Sequence, residues 1–398
     1  MNPQVIAAII AAIVSVLTLI GTVAAQYFGR RATSRDTERT LEEQGKHLDR
    51  TLAEQREQLD RTLAEQREQL DRTLAEQRTR TLNERFATAA SQLGSDKPSA
   101  VRLAGVYAMA GLADDWEANR QTCVDVLCAY LRMPYEPDPG KDASVPEQLA
   151  FQSSREVRHT VIRVITAHLQ EGAPVSWQGL NLDFTGVVFD GGSFASAQFS
   201  GGTVDFGHAQ FAGGMIYFNS AQFAGGTVNF NSARFSGGII YFTEAQFTGS
   251  TVNFNGTYFS GGTVDFGDAQ FAGGMIYFSV TEFSGSTVNF SHAHFSGGAV
   301  DFGFAQISGG TIYFNGAQFA GGTVDFGHAQ FADGTVNFNG ARFAGGAVDF
   351  GHAQFAGGAV NFIAAQFTGG AVDFSKVDVW SCLLYTSNAA DDLTRVDL

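Results

Sequence analysis

Residues 199–210 read FSGGTVDFGHAQ, and residues 211–222 read FAGGMIYFNSAQ. The same twelve-residue unit continues to FTGGAVDFSKVD at residues 367–378, and its Phe residues are separated alternately by seven and five positions. Of the 36 Phe in the chain, 30 lie between Phe199 and Phe374. A repeat of this kind indicates a solenoid, in which each unit buries its apolar side chains against the next one.

A shorter unit precedes this repeat. NLDFT, GVVFD, GGSFA and SAQFS fill residues 181–200, and Phe184, Phe189, Phe194 and Phe199 are five residues apart. This pattern resembles the pentapeptide-repeat family. The resemblance implies a right-handed, four-sided β-helix over residues 177–380, in which the Phe and the small residue two places before it point inward.

The twelve-residue unit is interpreted as two pentapeptides, such as VDFGH and AQFAG, plus two extra residues. Two sides then form half a coil, so that a coil takes about 24 residues. A flat, two-sided solenoid with about twelve residues per coil is the alternative. The Tyr residues at 217, 241, 277 and 313 do not decide between them, because their separations are all multiples of twelve.

The positions within the unit predict which side chains are buried. Inward Phe rings should form the core, and the paired Gly at 201–202, 213–214 and 225–226 should form corners with positive φ. The seventh position is Asp, Asn or Tyr and should form a polar outer column. His208, His328 and His352 share one position and are interpreted as corner residues copied by duplication, because the intervening units carry no His there.

Residues 1–28 are predicted to be a membrane anchor. Val5 to Ala25 form an uncharged apolar run, long enough for a bilayer core, and Arg30, Arg31 and Arg35 follow it. The positive-inside rule then predicts a single-pass protein of the cell membrane with its N terminus outside and its other domains in the cytoplasm. A cleaved signal peptide is the alternative, although no basic residue precedes the run.

Residues 29–86 are predicted to form a long helical stalk. LDRTLAEQREQ begins at Leu48 and again at Leu59, and a third copy begins at Leu70. An apolar stripe with an eleven-residue period favours a right-handed coiled coil and hence a homo-oligomer. The stripe is narrow, so a lone helix held by Glu–Arg pairs stays open as the alternative. The stripe consists of Leu48, Leu52, Leu59, Leu63, Leu70 and Leu74.

Residues 82–175 are predicted to be an α-helical domain, because apolar residues recur there at spacings of three and four. VRLAGVYAMAGLADD and RQTCVDVLCAYL resemble a HEAT-like helix pair. Cys123 and Cys128 are expected to be a buried structural pair, since a redox or metal site favours CxxC spacing. His159 and His168 have no ligand cluster near them in the sequence and are interpreted as structural or surface residues.

The composition argues against several classes of function. The chain has 25 Lys and Arg against 40 Asp and Glu, with a formal net charge of -15, so direct nucleic-acid binding through a basic surface is not expected. No GxxxxGK[ST], GxSxG or HExxH motif is present, and no catalytic, cofactor-binding or metal-binding residue is predicted. The chain is therefore predicted to be an α plus β-solenoid protein without enzymatic activity.

The predicted function is a membrane-tethered scaffold that binds an unknown protein partner on the cytoplasmic side. Some pentapeptide-repeat proteins imitate DNA with acidic faces and block DNA gyrase. Between Phe199 and Asp378 this chain has eleven acids against Arg234, Arg342 and Lys376, so a DNA-mimicking modulator of a topoisomerase is the alternative.

Two further segments bear resemblances. ERFATAASQLGSDKPSAVRLAGVYAMAGLADDW and CVDVLCAYLRMPYEP are similar to membrane-anchored pentapeptide-repeat proteins of actinobacteria, a group that implies an architecture rather than an activity. CLLYTSNAADD, from Cys382, resembles the translation of a sequencing adapter. Residues 381–398 are therefore predicted to be an artefactual and irregular tail.

Overall fold

The computed structural model describes residues 3–28, 35–94, 96–135, 138–380, 383–385 and 396–397, with side chains from 10 to 22 and from 41 to 378 within these ranges. The chain divides into two compact units, residues 1–80 and residues 81–398. The first is helical, and the second combines helices with a β-solenoid. The predicted α plus β-solenoid class is confirmed.

The first helix, α1, covers Pro3–Phe28, so the predicted apolar helix is present. Yet in the part of the chain that the structure describes, no helix has the length and apolar character that crossing a membrane requires. A bilayer core takes about 20 consecutive apolar residues, whereas the described side chains of α1 run from Ile10 to Thr22. The prediction of a single-pass membrane protein with cytoplasmic domains is therefore wrong.

The second helix, α2, covers Arg35–Gln92 without a break. It is rich in Leu, Glu, Gln and Arg, which are good helix formers. Its ion pairs join residues four apart on the helix surface, as Glu57–Arg61 and Glu68–Arg72 do.

Three more helices form a small bundle in residues 81–398. They are α3 (Ser99–Asp115), α4 (Arg120–Arg132) and α5 (Val145–Leu169), with a short 3-10 helix at Glu117–Asn119. The α5 helix begins at a capping interaction, in which the Ser144 backbone N–H donates to the Glu147 carboxylate at 2.8 Å. The buried faces of these helices pack together in a continuous core with the solenoid.

Short parallel strands follow and form four sheets among the described residues. Sheet A consists of Leu182–Asp183, Thr203–Asp205, Thr227–Asn229, Thr251–Asn253, Met275–Tyr277, Ala299–Asp301, Thr323–Asp325, Ala347–Asp349, Ala371–Asp373 and Val396–Asp397. Sheet B consists of Val188–Phe189, Gln210–Phe211, Arg234–Phe235, Tyr258–Phe259, Glu282–Phe283, Gln306–Ile307, Gln330–Phe331, Gln354–Phe355 and Val379–Trp380.

The other two sheets complete each coil in the order A, B, C, D along the chain. Sheet C consists of Gly192–Ser193, Met215–Tyr217, Ile239–Tyr241, Thr263–Asp265, Thr287–Asn289, Thr311–Tyr313, Thr335–Asn337, Ala359–Asn361 and Leu383–Tyr385. Sheet D consists of Gln198–Ser200, Gln222–Ala224, Gln246–Thr248, Gln270–Ala272, His294–Phe295, Gln318–Phe319, Arg342–Phe343 and Gln366–Phe367.

The strand register decides the length of the coil. Thr227 pairs with Thr251, and Thr251 pairs with Met275, so each coil of the main repeat takes 24 residues. The alternative with twelve residues per coil is therefore excluded. The first coil is shorter, since Leu182 pairs with Val204, because it is built from unextended pentapeptides.

Phe rings fill the interior of the coils. Phe206 and Phe230 occupy equivalent places in successive coils, with centroids 4.7 Å apart and planes 4° apart. The apolar residue two places before such a Phe, for example Val228, is also buried. The predicted inward face is thus confirmed, apart from Phe304, whose side chain points outward and is 59% exposed.

One corner of every twelve-residue unit has an unusual backbone. Ala209 N–H donates to Phe206 O at 3.0 Å and closes a turn, while His208 N–H donates to Asn231 O of the next coil at 2.9 Å. His208, at the third place of this turn, has a φ of 57°. The same place holds a non-glycine residue with positive φ in many units: Ser196, His208, Ser220, Ser232, Glu244, Asp268, Val280, His292, Phe304, His328, His352 and Ala364.

The paired glycines lie at other corners, as predicted. Gly202 has a φ of 65°, and a Cβ there would lie 2.6 Å from the carbonyl oxygen of Leu180 in the coil before. Neither the conformation nor the space suits a side chain, so glycine is required at this place.

Two strands lie beyond Trp380. Leu383–Tyr385 pairs with Ala359–Asn361, and Val396–Asp397 pairs with Ala371–Asp373. The predicted irregular tail is therefore wrong for these strands. Cys382 and residues 386–395 lie outside the described residues, and the adapter origin of the tail stays a prediction.

Candidate functional site

The most concentrated group of polar contacts lies where the helices meet the first coil. Asp190 follows Val188–Phe189 at the corner between sheets B and C. Its Oδ2 accepts hydrogen bonds from Tyr135 Oη at 2.7 Å and from Arg155 Nε at 3.0 Å. His159 Nε2 lies 3.0 Å from Oδ1, and Arg155 Nη2 also donates to the Asp190 carbonyl at 3.2 Å. We call Tyr135, Arg155, His159 and Asp190 the Asp190 joint.

The electrostatics of the joint favour an ionised carboxylate and a neutral phenol. Burial alone would raise the pKa of Asp190, but hydrogen bonds from His159 and Tyr135 hold it below its usual value. Burial, and then the hydrogen bond to Asp190, raise the pKa of Tyr135 well above its usual value. Tyr135 therefore remains a donor at neutral pH, which suits a docking contact rather than a nucleophile or base.

Arg158 extends this joint into the core. The side chain is buried and donates to Leu131 O and to Val188 O, each at 2.8 Å. Its guanidinium lies 4.2 Å from the centre of the Tyr135 ring, within the range of a cation–π contact. Burial lowers the pKa of Arg158, and the two carbonyl acceptors compensate part of the lost hydration.

A second contact fixes the end of α5. Trp177 Nε1 donates to Asp114 Oδ1 at 3.0 Å, and His168 Nε2 lies 3.2 Å from Asp114 Oδ2. The His168 and Trp177 rings stack with centroids 3.9 Å apart. The structure thus places both His159 and His168 in contacts between elements, each beside a carboxylate.

Cys123 and Cys128 are both buried and free of a disulfide. Burial raises the pKa of Cys123 to about 11 and that of Cys128 to about 12. A thiol with a raised pKa carries little thiolate at neutral pH and is a poor nucleophile. The prediction of a buried pair is confirmed.

Along the solenoid, the polar column of the seventh position has a structural task. Asp205 Oδ1 accepts from the backbone N–H of Gly207 at 2.7 Å and from Asn229 Nδ2, one coil further, at 3.0 Å. Asp265 makes the same two contacts, with Gly267 and with Asn289. The Asp and Asn side chains therefore stabilise the turn that follows each strand and link successive coils.

The column becomes purely acidic on sheet A toward its later coils. Asp301 pairs with Asp325, and Asp325 pairs with Asp349, which pairs with Asp373. Burial, followed by repulsion from Asp301 and Asp349, raises the pKa of Asp325. We call these four residues the Asp column. It is the strongest concentration of negative charge on one described face of the solenoid.

The repeated histidines lie at corners, as predicted. His328 stacks on Phe304 with centroids 4.7 Å apart and on His352 with centroids 4.9 Å apart. His352 Nδ1 lies 3.2 Å from Asp378 Oδ1. Within the described residues, no three His, Cys, Asp or Glu side chains are arranged to hold a metal ion.

The Asp190 joint was not predicted from the sequence. A signal was present, because Arg155, Arg158 and His159 lie at spacings of three and four on one helix face, and Asp190 precedes the Gly pair at which the repeat changes its phase. Comparison of the chain with protein-family models, curated proteins and solved structures finds no match.

Proposed function

We propose that the chain is a non-enzymatic scaffold whose solenoid binds a protein partner along one of its faces. The observation that carries the proposal is the parallel register with a period of 24 residues. It places equivalent side chains of successive coils in straight columns, about 4.8 Å apart, on each sheet. Each face is thus a flat, regular array of one chemical type.

Sheet D illustrates such a face. Its outward column is mostly glutamine, and it consists of Gln198, Gln222, Gln246, Gln270, His294, Gln318, Arg342 and Gln366. An amide both donates and accepts hydrogen bonds, so the column offers paired polar contacts at a fixed spacing. Small-molecule sites are concave and mostly apolar, whereas a flat polar array suits a protein surface.

Two structural features support recruitment of a partner to a rigid platform. Stacked rings such as those of Phe211 and Phe235, with centroids 4.5 Å apart, hold the coils in register. The Asp190 joint fixes the helical bundle to the first coil. A partner bound to the solenoid would therefore be held at a set position relative to the bundle.

We also propose that the solenoid is of pentapeptide-repeat type. The four five-residue units of residues 181–200 and the four-sheet coil support this assignment. The two additional residues in each later unit are a departure from that pattern, and they lie at the glycine corners.

DNA mimicry toward a topoisomerase such as DNA gyrase is the second candidate, favoured by the Asp column. Its charge density is modest, however. Consecutive carboxylates are about 4.8 Å apart along the stack, whereas duplex DNA carries one charge per about 1.7 Å. Four aligned carboxylates therefore reproduce a small part of the field of a duplex.

Site-specific photo-crosslinking tests the proposal. A photoreactive amino acid is placed at Thr323, Gln330, Thr335 or Arg342, which lie on sheets A, B, C and D of the same coil. We expect one protein to be captured from cells at one of these positions and not at the opposite face. Capture of gyrase at Thr323, with inhibition of supercoiling by the purified chain, would favour DNA mimicry. Equal labelling at all four positions would contradict a binding face.

A further inference from the structure

The α2 helix carries an apolar stripe that is exposed in the single chain. Leu59 is 44% exposed, Leu70 is 58% exposed and Leu74 is 53% exposed. With Leu48, Leu52 and Leu63 they recur at alternating spacings of four and seven residues. Burial of each such side chain contributes about 1.5–3 kcal/mol, so leaving the whole row in water is unfavourable.

The eleven-residue period places these leucines on one straight line. An eleven-residue repeat makes three turns, or about 98° per residue, so Leu48, Leu59 and Leu70 share one direction. On this wheel Leu52 lies about 33° to one side of that line. Gln55, and its equivalents Gln66 and Gln77, lie about 33° to the other side. We call these leucines and glutamines the stalk seam.

The observed ion pairs agree with this assignment. Glu57 and Arg61 form an ion pair, and they lie at about 160° and 200° from the centre of the seam. Glu68 and Arg72 repeat this pair one period later. The charged pairs thus occupy the face opposite the seam and leave the seam free for another helix.

The two flanks of the seam differ in charge, which indicates the direction of a partner helix. Arg56 and Arg67 lie about 65° to one side, whereas Thr51 and Thr62 lie about 65° to the other. In a parallel pair related by a twofold axis, the Arg flank of one helix faces the Thr flank of its partner. In an antiparallel pair, Arg faces Arg and like charges repel.

We propose that the stalk seam binds a second copy of this chain, in register and parallel, as a right-handed coiled coil. The three copies of one eleven-residue sequence make the seam self-complementary, since each Leu layer meets the same layer of the partner. A shift by one repeat would leave one set of Leu unpaired. The Gln of each repeat meets its counterpart and can exchange amide hydrogen bonds across the seam.

Sedimentation equilibrium of the full chain tests the association. We expect a species of twice the 42.5 kDa of one chain. The variant Leu59→Gln/Leu63→Gln/Leu70→Gln should sediment as a monomer. The matched control Ala53→Gln/Ala64→Gln/Ala75→Gln changes the same number of residues away from the seam and should remain a dimer. A monomeric parent chain, or a dimer that survives the leucine changes, would overturn the proposal. Circular dichroism of both variants checks that the helix persists.

Cysteine crosslinking tests the direction. In a Cys382→Ser background, Gln55→Cys places one thiol in the seam, while Cys123 and Cys128 are buried. A parallel pair in register brings the two introduced thiols together, so oxidation should give a disulfide-linked dimer. An antiparallel pair instead brings residue 55 near residue 66 of the partner copy. Disulfide formation between a Gln55→Cys chain and a Gln66→Cys chain, without formation between two Gln55→Cys chains, would overturn the parallel arrangement.

Discussion

The ring of Phe290 lies parallel to the ring of Phe266 in the preceding coil, with centroids 4.8 Å apart and planes 4° apart. On its other side it stacks on Phe314 with centroids 5.0 Å apart. Phe290 therefore contacts three coils at once, and its side chain is fully buried. Its neighbour Asn289 points outward and connects to Asp265 through its amide at 2.8 Å.

Truncation of these two neighbours should have different costs. Phe290→Ala should lower the free energy of unfolding by about 3–5 kcal/mol, because it removes buried ring contacts and leaves a cavity. Asn289→Ala should cost about 1–2 kcal/mol, since it removes the bond to Asp265 and the acceptor for Ser291 N–H. Urea unfolding of both variants measures the difference. Equal losses would show that the inward and outward faces are misassigned.

The Asp column should destabilise the solenoid at neutral pH. Because the pKa of Asp325 is raised in the folded chain, the folded state keeps its proton at a pH at which the unfolded chain has lost it. Stability is thus lost as the pH rises above the usual pKa of this carboxyl. Asp325→Asn should raise the melting temperature at pH 7 by about 1–2 °C, a small effect because the side chain is exposed.

Asp265→Asn is the matched control for this change. Asp265 occupies the same place in the repeat, but its neighbours in the adjacent coils are Tyr241 and Asn289, which carry no negative charge. An asparagine keeps the turn contact, as Asn229 does with the N–H of Asn231 at 2.9 Å. A gain at 265 equal to that at 325 would rule out repulsion as its cause.

The extent to which the sequence predicts this structure differs from feature to feature. The Phe spacing predicts the inward faces, since a buried ladder requires the same residue at each coil. It leaves the coil length open, because twelve divides both alternatives, and only the pairing of Thr227 with Thr251 decides. The Asp190 joint escapes prediction for another reason: Tyr135 and Asp190 are 55 residues apart and meet only when the helices dock.

The corner with positive φ shows a tertiary constraint that overrides local preference. Val280 has a φ of 58°, a conformation that a β-branched residue rarely adopts. Its side chain is 60% exposed and so contributes little packing. The hydrogen bonds from Val280 N–H to Gly303 O and from Thr281 N–H to Phe278 O hold the turn. The strain is therefore imposed by the neighbouring coil.

A reciprocal pair of substitutions isolates this strain. Val280→Gly should raise the free energy of unfolding by about 1 kcal/mol, because glycine adopts positive φ without a steric cost. Gly340→Val should lower it by a similar or larger amount. Gly340 has a φ of 65°, and no atom lies within 4 Å of an added Cβ, so the cost would come from the backbone. Melting curves measure both, and a neutral Gly340→Val would contradict the argument.

The Asp190 joint should make the attachment of the helices depend on pH. The pKa of Asp190 is lowered in the folded chain, so its contribution is complete above the usual pKa of a carboxyl, near 3.8, and is lost as the pH falls through its folded value. Asp190→Asn should lower the free energy of unfolding at pH 7 by about 2–4 kcal/mol, because Arg155 and His159 lose their charged acceptor. The difference from the parent chain should shrink between pH 5 and pH 3. Hydrogen exchange should show faster opening of α5 than of the middle coils. Asp268→Asn, at an exposed corner of the solenoid, should leave α5 unchanged. A difference that stays constant down to pH 3 would show that the charge of Asp190 does not hold the joint.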